Sequence, residues 1–256
     1  MSQSETVSVL PISRPSTAAR AGVAIGPWAL PPAVRQVWAI AWKDVRAELR
    51  SRQVLASTVV FALLVLIIFN FSLDLSGTDM AEKGPAMLWV AILLAAVLGL
   101  NHVFGREREH SALEGFVLLP VDRTVLYFGK FFGALALTAA MEAGVVPVFA
   151  VLTNQGGLFP VPVLALALGT LGFLAVGTLF SAISVNVRTR EMLLPILLLP
   201  IAVPVLLAGV QATQLSLEGK PWGDIMPWLA TLAVFDGIYL VMSPILFEYV
   251  VEELGS

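Results

Sequence analysis

Six long runs of apolar residues dominate the chain, and each is long enough to cross a bilayer as a helix, which takes about 20 mainly apolar residues. Residues 53–73 lie uncharged between Arg52 and Asp74, and residues 84–105 lie uncharged between Lys83 and Arg106. A third run covers about 124–152 and carries Lys130 and Glu142. The fourth, about 163–187, follows Asn154-Gln155-Gly156-Gly157 and Pro160, punctuation that ends one helix before the next begins. The fifth covers roughly 192–214, and the sixth roughly 225–247 with Asp236 near its middle. The pattern predicts an all-α polytopic membrane protein with six transmembrane helices, forming a permease domain over 53–247.

A different periodicity precedes the first run. From Arg35 to Arg50, Trp38, Trp42, Val45 and Leu49 recur at i, i+4, i+7 and i+11 and form one narrow apolar stripe. Arg35, Lys43, Arg46 and Arg50 fall on one flank of it, Asp44 and Glu48 on the other. Residues 35–52 are therefore expected to form an amphipathic helix lying in the lipid headgroup layer, anchored by its tryptophans. Residues 1–34 have no continuous apolar core and are interrupted by Pro11, Pro15, Pro27, Pro31 and Pro32. They read as a mobile cytoplasmic tail and not as a signal peptide.

Composition sharpens this picture. Of 256 residues, 58% are hydrophobic and 13% charged, too little polar surface to cover a water-soluble globule. The absence of cysteine removes disulfides, thiolate metal sites and cysteine nucleophiles. Net charge of -3 hides a strong asymmetry. Thirteen of the fifteen Lys and Arg residues lie before the first span, in the loop between spans two and three with its helix start, or at Arg188 and Arg190; only Lys83 and Lys220 fall on the other side. Cations are retained in the cytoplasm during insertion, so both termini, including a short tail at 248–256, are expected to be cytoplasmic.

The loop between spans two and three holds the richest local signal. Ser111-Ala112-Leu113-Glu114 matches a capping box, in which Ser111 and Glu114 satisfy backbone donors at a helix start. A two-turn helix should run to Pro120, exposing Leu113, Phe116 and Val117 on one face, with Leu118 and Leu119 following. That much apolar surface outside the membrane points to a docking site, the alternative being a helix folded back onto the span ends or the membrane surface.

Val103-Phe104-Gly105-Arg106, Ser111-Ala112-Leu113-Glu114 and Leu118-Leu119-Pro120, followed by Leu168-Gly169-Thr170-Leu171-Gly172-Phe173 and by the segment from Leu198 to Val205, resemble a known family over about residues 35–247. That family is the heme exporter protein B family, the membrane subunit of the cytochrome c maturation haem exporter. The resemblance implies a six-span permease of the ABC-2 exporter type, with an interface helix before span one and a coupling helix at 111–120. It further implies a bacterial inner-membrane location, a second permease copy, a separate ATP-binding-cassette ATPase carrying the ATP, and a haem-handling membrane protein of the same maturation system. Haem is then the expected substrate, with no cofactor bound by this chain, and the lipid bilayer rather than nucleic acid is its surroundings. The chain cannot be its own motor: neither Gly129-Lys130 nor Gly219-Lys220 has the upstream Gly and following Ser or Thr of a phosphate-binding loop.

Glu142 and Asp236 stand out chemically, because an ionised carboxylate inside a span is costly and normally faces the bundle interior or a wet cavity. Each is a candidate functional site, with hydrogen bonding to a neighbouring hydroxyl as the structural alternative. Pairing of Glu142 with Lys130 is not expected, since twelve helical residues separate them by about 18 Å. His102 and His110 are not read as haem ligands, because they lie at or beyond the inner end of span two, whereas the family's haem-binding partners work at the outer face. Gly129 and Gly133 form G-x-x-x-G, and Gly169, Gly172 and Gly177 stud span four, favouring close helix packing. Pro195, Pro200 and Pro204 should bend span five. Two other functions fit less of the chain: an exporter of drugs, lipids or polysaccharides with the same architecture, and an intramembrane enzyme using Glu142 and Asp236 as acid and base. No hydrolase or metalloprotease motif accompanies the second.

Overall fold

Apolar runs surrounded by lipid can satisfy every backbone donor and acceptor only as helices or closed barrels, and here they form helices. The computed structural model describes residues 32–72, 78–109, 122–153, 160–184 and 190–254, with side chains at 33–72, 82–101, 122–153, 160–184 and 193–250. Among the described residues there are seven helices and no strands: α1 (Pro32–Ser51), α2 (Gln53–Ser72), α3 (Thr78–Glu109), α4 (Arg123–Leu152), α5 (Pro160–Ser184), α6 (Arg190–Leu217) and α7 (Trp222–Leu254). The last six are each long and apolar enough to cross a membrane.

Helix limits follow local chemistry. Pro32 occupies the first position of α1, where its missing N–H costs nothing, so the helix starts three residues before Arg35. Asp122 caps α4, its Oδ1 accepting from the Thr124 amide at 2.9 Å. Between α6 and α7 the chain turns through Gly219 at φ +68, with the Lys220 amide donating to the Leu215 carbonyl at 2.9 Å; glycine takes this left-handed position without a Cβ penalty. The final helix continues past 247 to Leu254, because nothing from Glu248 to Leu254 breaks a helix before Gly255. Pro195, Pro200 and Pro204 all lie inside α6, which continues through them as one helix.

Helices α3 and α5 form the centre. Over their apolar stretches each is 67% buried, against 22% for α2 and 17% for α4. The most extensive packing joins α5 to α7 and to α6, and α1 to α4, while α2 leans on α3. Glycines let the central helices approach. The Trp89 ring of α3 fills the space that Cβ atoms at Gly169 of α5 and Gly209 of α6 would need, and its Nε1 donates to Thr213 Oγ1 at 3.0 Å. The Thr213 hydroxyl in turn donates to the Gly209 carbonyl at 2.8 Å. The buried Tyr127 of α4 ties the other side, donating to the Ala175 carbonyl of α5 at 3.0 Å and stacking with Phe131.

Candidate functional site

Helix α1 carries two apolar stripes, and they do different things. Val37, Ile40, Ala41, Asp44 and Glu48 turn inward, with Ala41 and Glu48 fully buried. The stripe most visible in the sequence is the outward one: Trp38, Trp42 and Leu49 are 65%, 49% and 52% exposed, and Val45 is half-buried. The Trp38 and Trp42 rings stack at 6.2 Å. The inward stripe is less obvious because its residues are smaller and two of them are acidic.

Small residues are what α4 accepts there. Gly129 and Gly133 lie one turn apart, and a Cβ on Gly129 would collide with Ile40 while one on Gly133 would touch Ala41 and Asp44. The G-x-x-x-G thus receives α1, not another spanning helix. Asp44 Oδ2 accepts from Lys130 Nζ at 2.8 Å, and Lys43 Nζ lies 3.3 Å from Asp44 Oδ1. Lys130 is 2% exposed, so Asp44 is what makes a lysine inside the third span tolerable.

The second acid of α1 holds the next helix. Glu48 is 2% exposed, and its Oε1 accepts from the amides of Val54 and Leu55 at 2.6 and 3.0 Å. These are first-turn donors of α2 with no partner inside that helix, and a carboxylate there also meets the positive end of the helix dipole. The Ser51 hydroxyl donates to Glu48 Oε2 at 3.3 Å. The chain passes from α1 to α2 through Arg52 at φ 54, a left-handed conformation that costs a non-glycine residue on the order of 1 kcal/mol. Helix α1 is therefore bound at Asp44 to the third span and at Glu48 to the first.

The two intramembrane acids differ. Glu142 of α4 accepts a hydrogen bond from the Thr170 hydroxyl of α5, and, as expected from the spacing, it does not pair with Lys130. Asp236 of α7 is 6% exposed, and neither of its oxygens meets a donor in good hydrogen-bond geometry. Its Oδ1 and the Phe235 ring occupy the space a Cβ on Gly172 of α5 would need. Ser243, two turns on from Asp236, is also fully buried.

The segment 111–120, with Ser111, Leu113, Glu114, Phe116, Val117 and Pro120, lies outside the described residues, as does His110; His102 is described only as part of helix α3. The salt bridge of Lys130 to Asp44 and the capping role of Glu48 were not foreseen from sequence. The available signal was an acid on the amphipathic helix together with an unexplained lysine beside a glycine pair.

A family model described as CcmB protein matches residues 35–252. The chain belongs to the CcmB family. It is 30% identical over 203 residues to the Heme exporter protein B of Pseudomonas aeruginosa, covering 79% of this chain and 90% of that protein. The Heme exporter protein B of Bradyrhizobium diazoefficiens is 31% identical over 208 residues, with 79% and 90% covered. That of Escherichia coli K12 is 28% identical over 208 residues, with 77% and 94% covered. The matched region takes in α1 from Arg35 on, all six spans and the acids Asp44, Glu48, Glu142 and Asp236, so this CcmB-family chain is a multi-pass membrane permease subunit.

Proposed function

We propose that the chain is the permease subunit of an ATP-binding-cassette complex serving haem export, or release of a haem-loaded chaperone, in cytochrome c biogenesis. Its relatives are named Heme exporter protein B, and the observation that carries the mechanical part is the double anchoring of α1 through Asp44 and Glu48. A helix held this way moves with spans one and three as one body. The motor is a separate ATPase docking on residues 111–120 through Leu113, Phe116 and Val117, with Ser111 and Glu114 capping that helix and Pro120 ending it. ATP stays on that partner, haem is the substrate, and a second permease copy and a haem-handling membrane protein complete the assembly.

The bacterial relatives and the six apolar helices support a location in a bacterial inner membrane, and the distribution of Lys and Arg supports both termini in the cytoplasm. Residues 35–52 act as the interface helix, with Trp38, Trp42, Val45 and Leu49 toward the headgroups, residues 53–247 as the permease domain, and residues 1–34 and 248–256 as cytoplasmic extensions. Among the acids, Asp236 is the better candidate for a charge that acts during the cycle, because no side-chain hydroxyl holds it as Thr170 holds Glu142.

The docking assignment is tested by Glu114→Arg, and separately by Leu113→Asp combined with Phe116→Asp. Each should leave the chain inserted but abolish retention or stimulation of the ATPase, since buried apolar contacts at a docking face act as hot spots. Co-purification at the original stoichiometry together with undiminished cytochrome c maturation would refute it.

A further inference from the structure

Folding sorts the charges of α1. Residues 33–53 carry five cations and two acids, and both acids turn inward: Asp44 meets Lys130, while the buried Glu48 caps α2. Lys43 lies against Asp44, whereas Arg35, Arg46, Arg50 and Arg52 remain exposed. The outward side of the helix is consequently basic, although its sequence is of mixed charge. It is also aromatic. At about 100° per residue, Arg35, Arg46 and Arg50 stand about 20°, 40° and 80° round from Trp42, so they share one side with the exposed Trp38, Trp42 and Leu49, while Ile40, Ala41, Asp44 and Glu48 occupy the other.

Arginines interleaved with tryptophan suit the headgroup layer, where indole rings sit at the apolar boundary and cations meet phosphates. The first spanning helix starts at Gln53, directly after Arg52, and its Val60 and Phe61, about 12 Å further along, are already apolar and exposed. The chain's own extension offers no counter-charge, since residues 1–31 carry Glu5 against Arg14 and Arg20. We propose that the outward side of α1 binds the headgroups of anionic phospholipids, with phosphates on Arg35, Arg46, Arg50 and Arg52 and with Trp38 and Trp42 at the acyl boundary. This rests on the reading of α1 as an interface helix and adds the lipid class that the helix selects. A basic segment at the bilayer surface attracts anionic lipid, and a zwitterionic headgroup has no net charge to offer it. Because Asp44 and Glu48 tie α1 to the third and first spans, lipid charge acts on that anchored unit.

The test uses the full chain in nanodiscs of mixed phosphatidylglycerol and phosphatidylcholine, where orientation across the original membrane plays no part. Phosphatidylglycerol with a photoreactive group near its glycerol should form adducts within 33–53, and unlabelled phosphatidylglycerol should compete for them better than phosphatidylcholine. Arg46→Gln with Arg50→Gln should lower that preference roughly thirtyfold, the effect of two cations near the surface, while Arg46→Lys with Arg50→Lys should keep most of it. Soluble glycerophosphoglycerol should leave the adducts unchanged; competition by it would assign the arginines to a soluble phosphodiester and overturn the lipid. Equal competition by both lipids, or adducts confined to other segments, would overturn the proposal as well. A fluorophore on Trp42→Cys, in a chain without native cysteine, separates this from the underlying reading. A label that enters the headgroup layer while both lipids compete equally keeps the interface helix and removes lipid selection, and a label that stays in water in every bilayer removes both.

Discussion

Lys130 and Asp44 meet at 2.8 Å across the contact between the third span and the helix that precedes the first, with the lysine 2% exposed. The lysine sits one residue after Gly129, where the absence of a Cβ lets Ile40 approach. Packing and charge thus act at one point. The glycine brings α1 close enough for a short ion pair, and the ion pair makes a cation acceptable within an apolar helix.

The first prediction concerns that pair. Asp44→Asn should destabilise the chain by about 3 kcal/mol, because it removes the negative charge that the buried Lys130 Nζ meets at 2.8 Å. Lys130→Met with Asp44→Leu should cost much less, since no charge is then stranded. Thermal unfolding of the two variants and the two single changes in detergent gives the coupling directly. A loss in the double variant equal to the sum of the two single losses would show that the pair is not coupled.

Glu48 offers a second, separable anchor. Glu48→Ala should cost about 1 to 2 kcal/mol, the value of a helix cap with a charge at the helix terminus, whereas Glu48→Gln should keep one acceptor for the Val54 and Leu55 amides and lose less. Hydrogen exchange at those two amides is the readout. Unchanged protection in Glu48→Ala would mean that α2 does not depend on this cap.

How far the sequence carries can be judged from these residues. The six spans are legible because bilayer thickness imposes a length and an apolar composition that no soluble segment shares. The outward stripe of α1 is legible too, since Trp38, Trp42 and Leu49 follow helical spacing. The inward stripe is not. Asp44 and Glu48 look like solvated residues until the partner appears 86 positions away for one and across the turn at Arg52 for the other. Glu142 and Asp236 look alike in sequence, and only the three-dimensional placement of Thr170 separates them.

Topology provides the third prediction, which uses the absence of native cysteine. Single cysteines at 77 and 156 should react with an impermeant thiol reagent from outside intact cells. Those at 108 and 189 should react only after permeabilisation. Reaction at 108 in intact cells would invert the orientation proposed above.

The last prediction turns on the difference between the two intramembrane acids. A carboxylate held in a span costs a few kcal/mol unless donors meet it. Glu142 has the Thr170 hydroxyl, so Glu142→Gln, which keeps an acceptor for that donor, should preserve both stability and output. Asp236 is buried with no side-chain donor and lies against the backbone of Gly172. Asp236→Asn keeps the shape and removes the charge, so it should raise thermal stability or leave it unchanged. If the carboxylate acts in the transport cycle, the same substitution should lower c-type cytochrome yield per assembled complex by about tenfold or more, equivalent to roughly 1.4 kcal/mol. Asp236→Leu should reduce both quantities, because its branched side chain has no room beside Gly172. Stability falling with output in Asp236→Asn would make Asp236 a packing residue, and undiminished output would remove the case for a charge acting at this position.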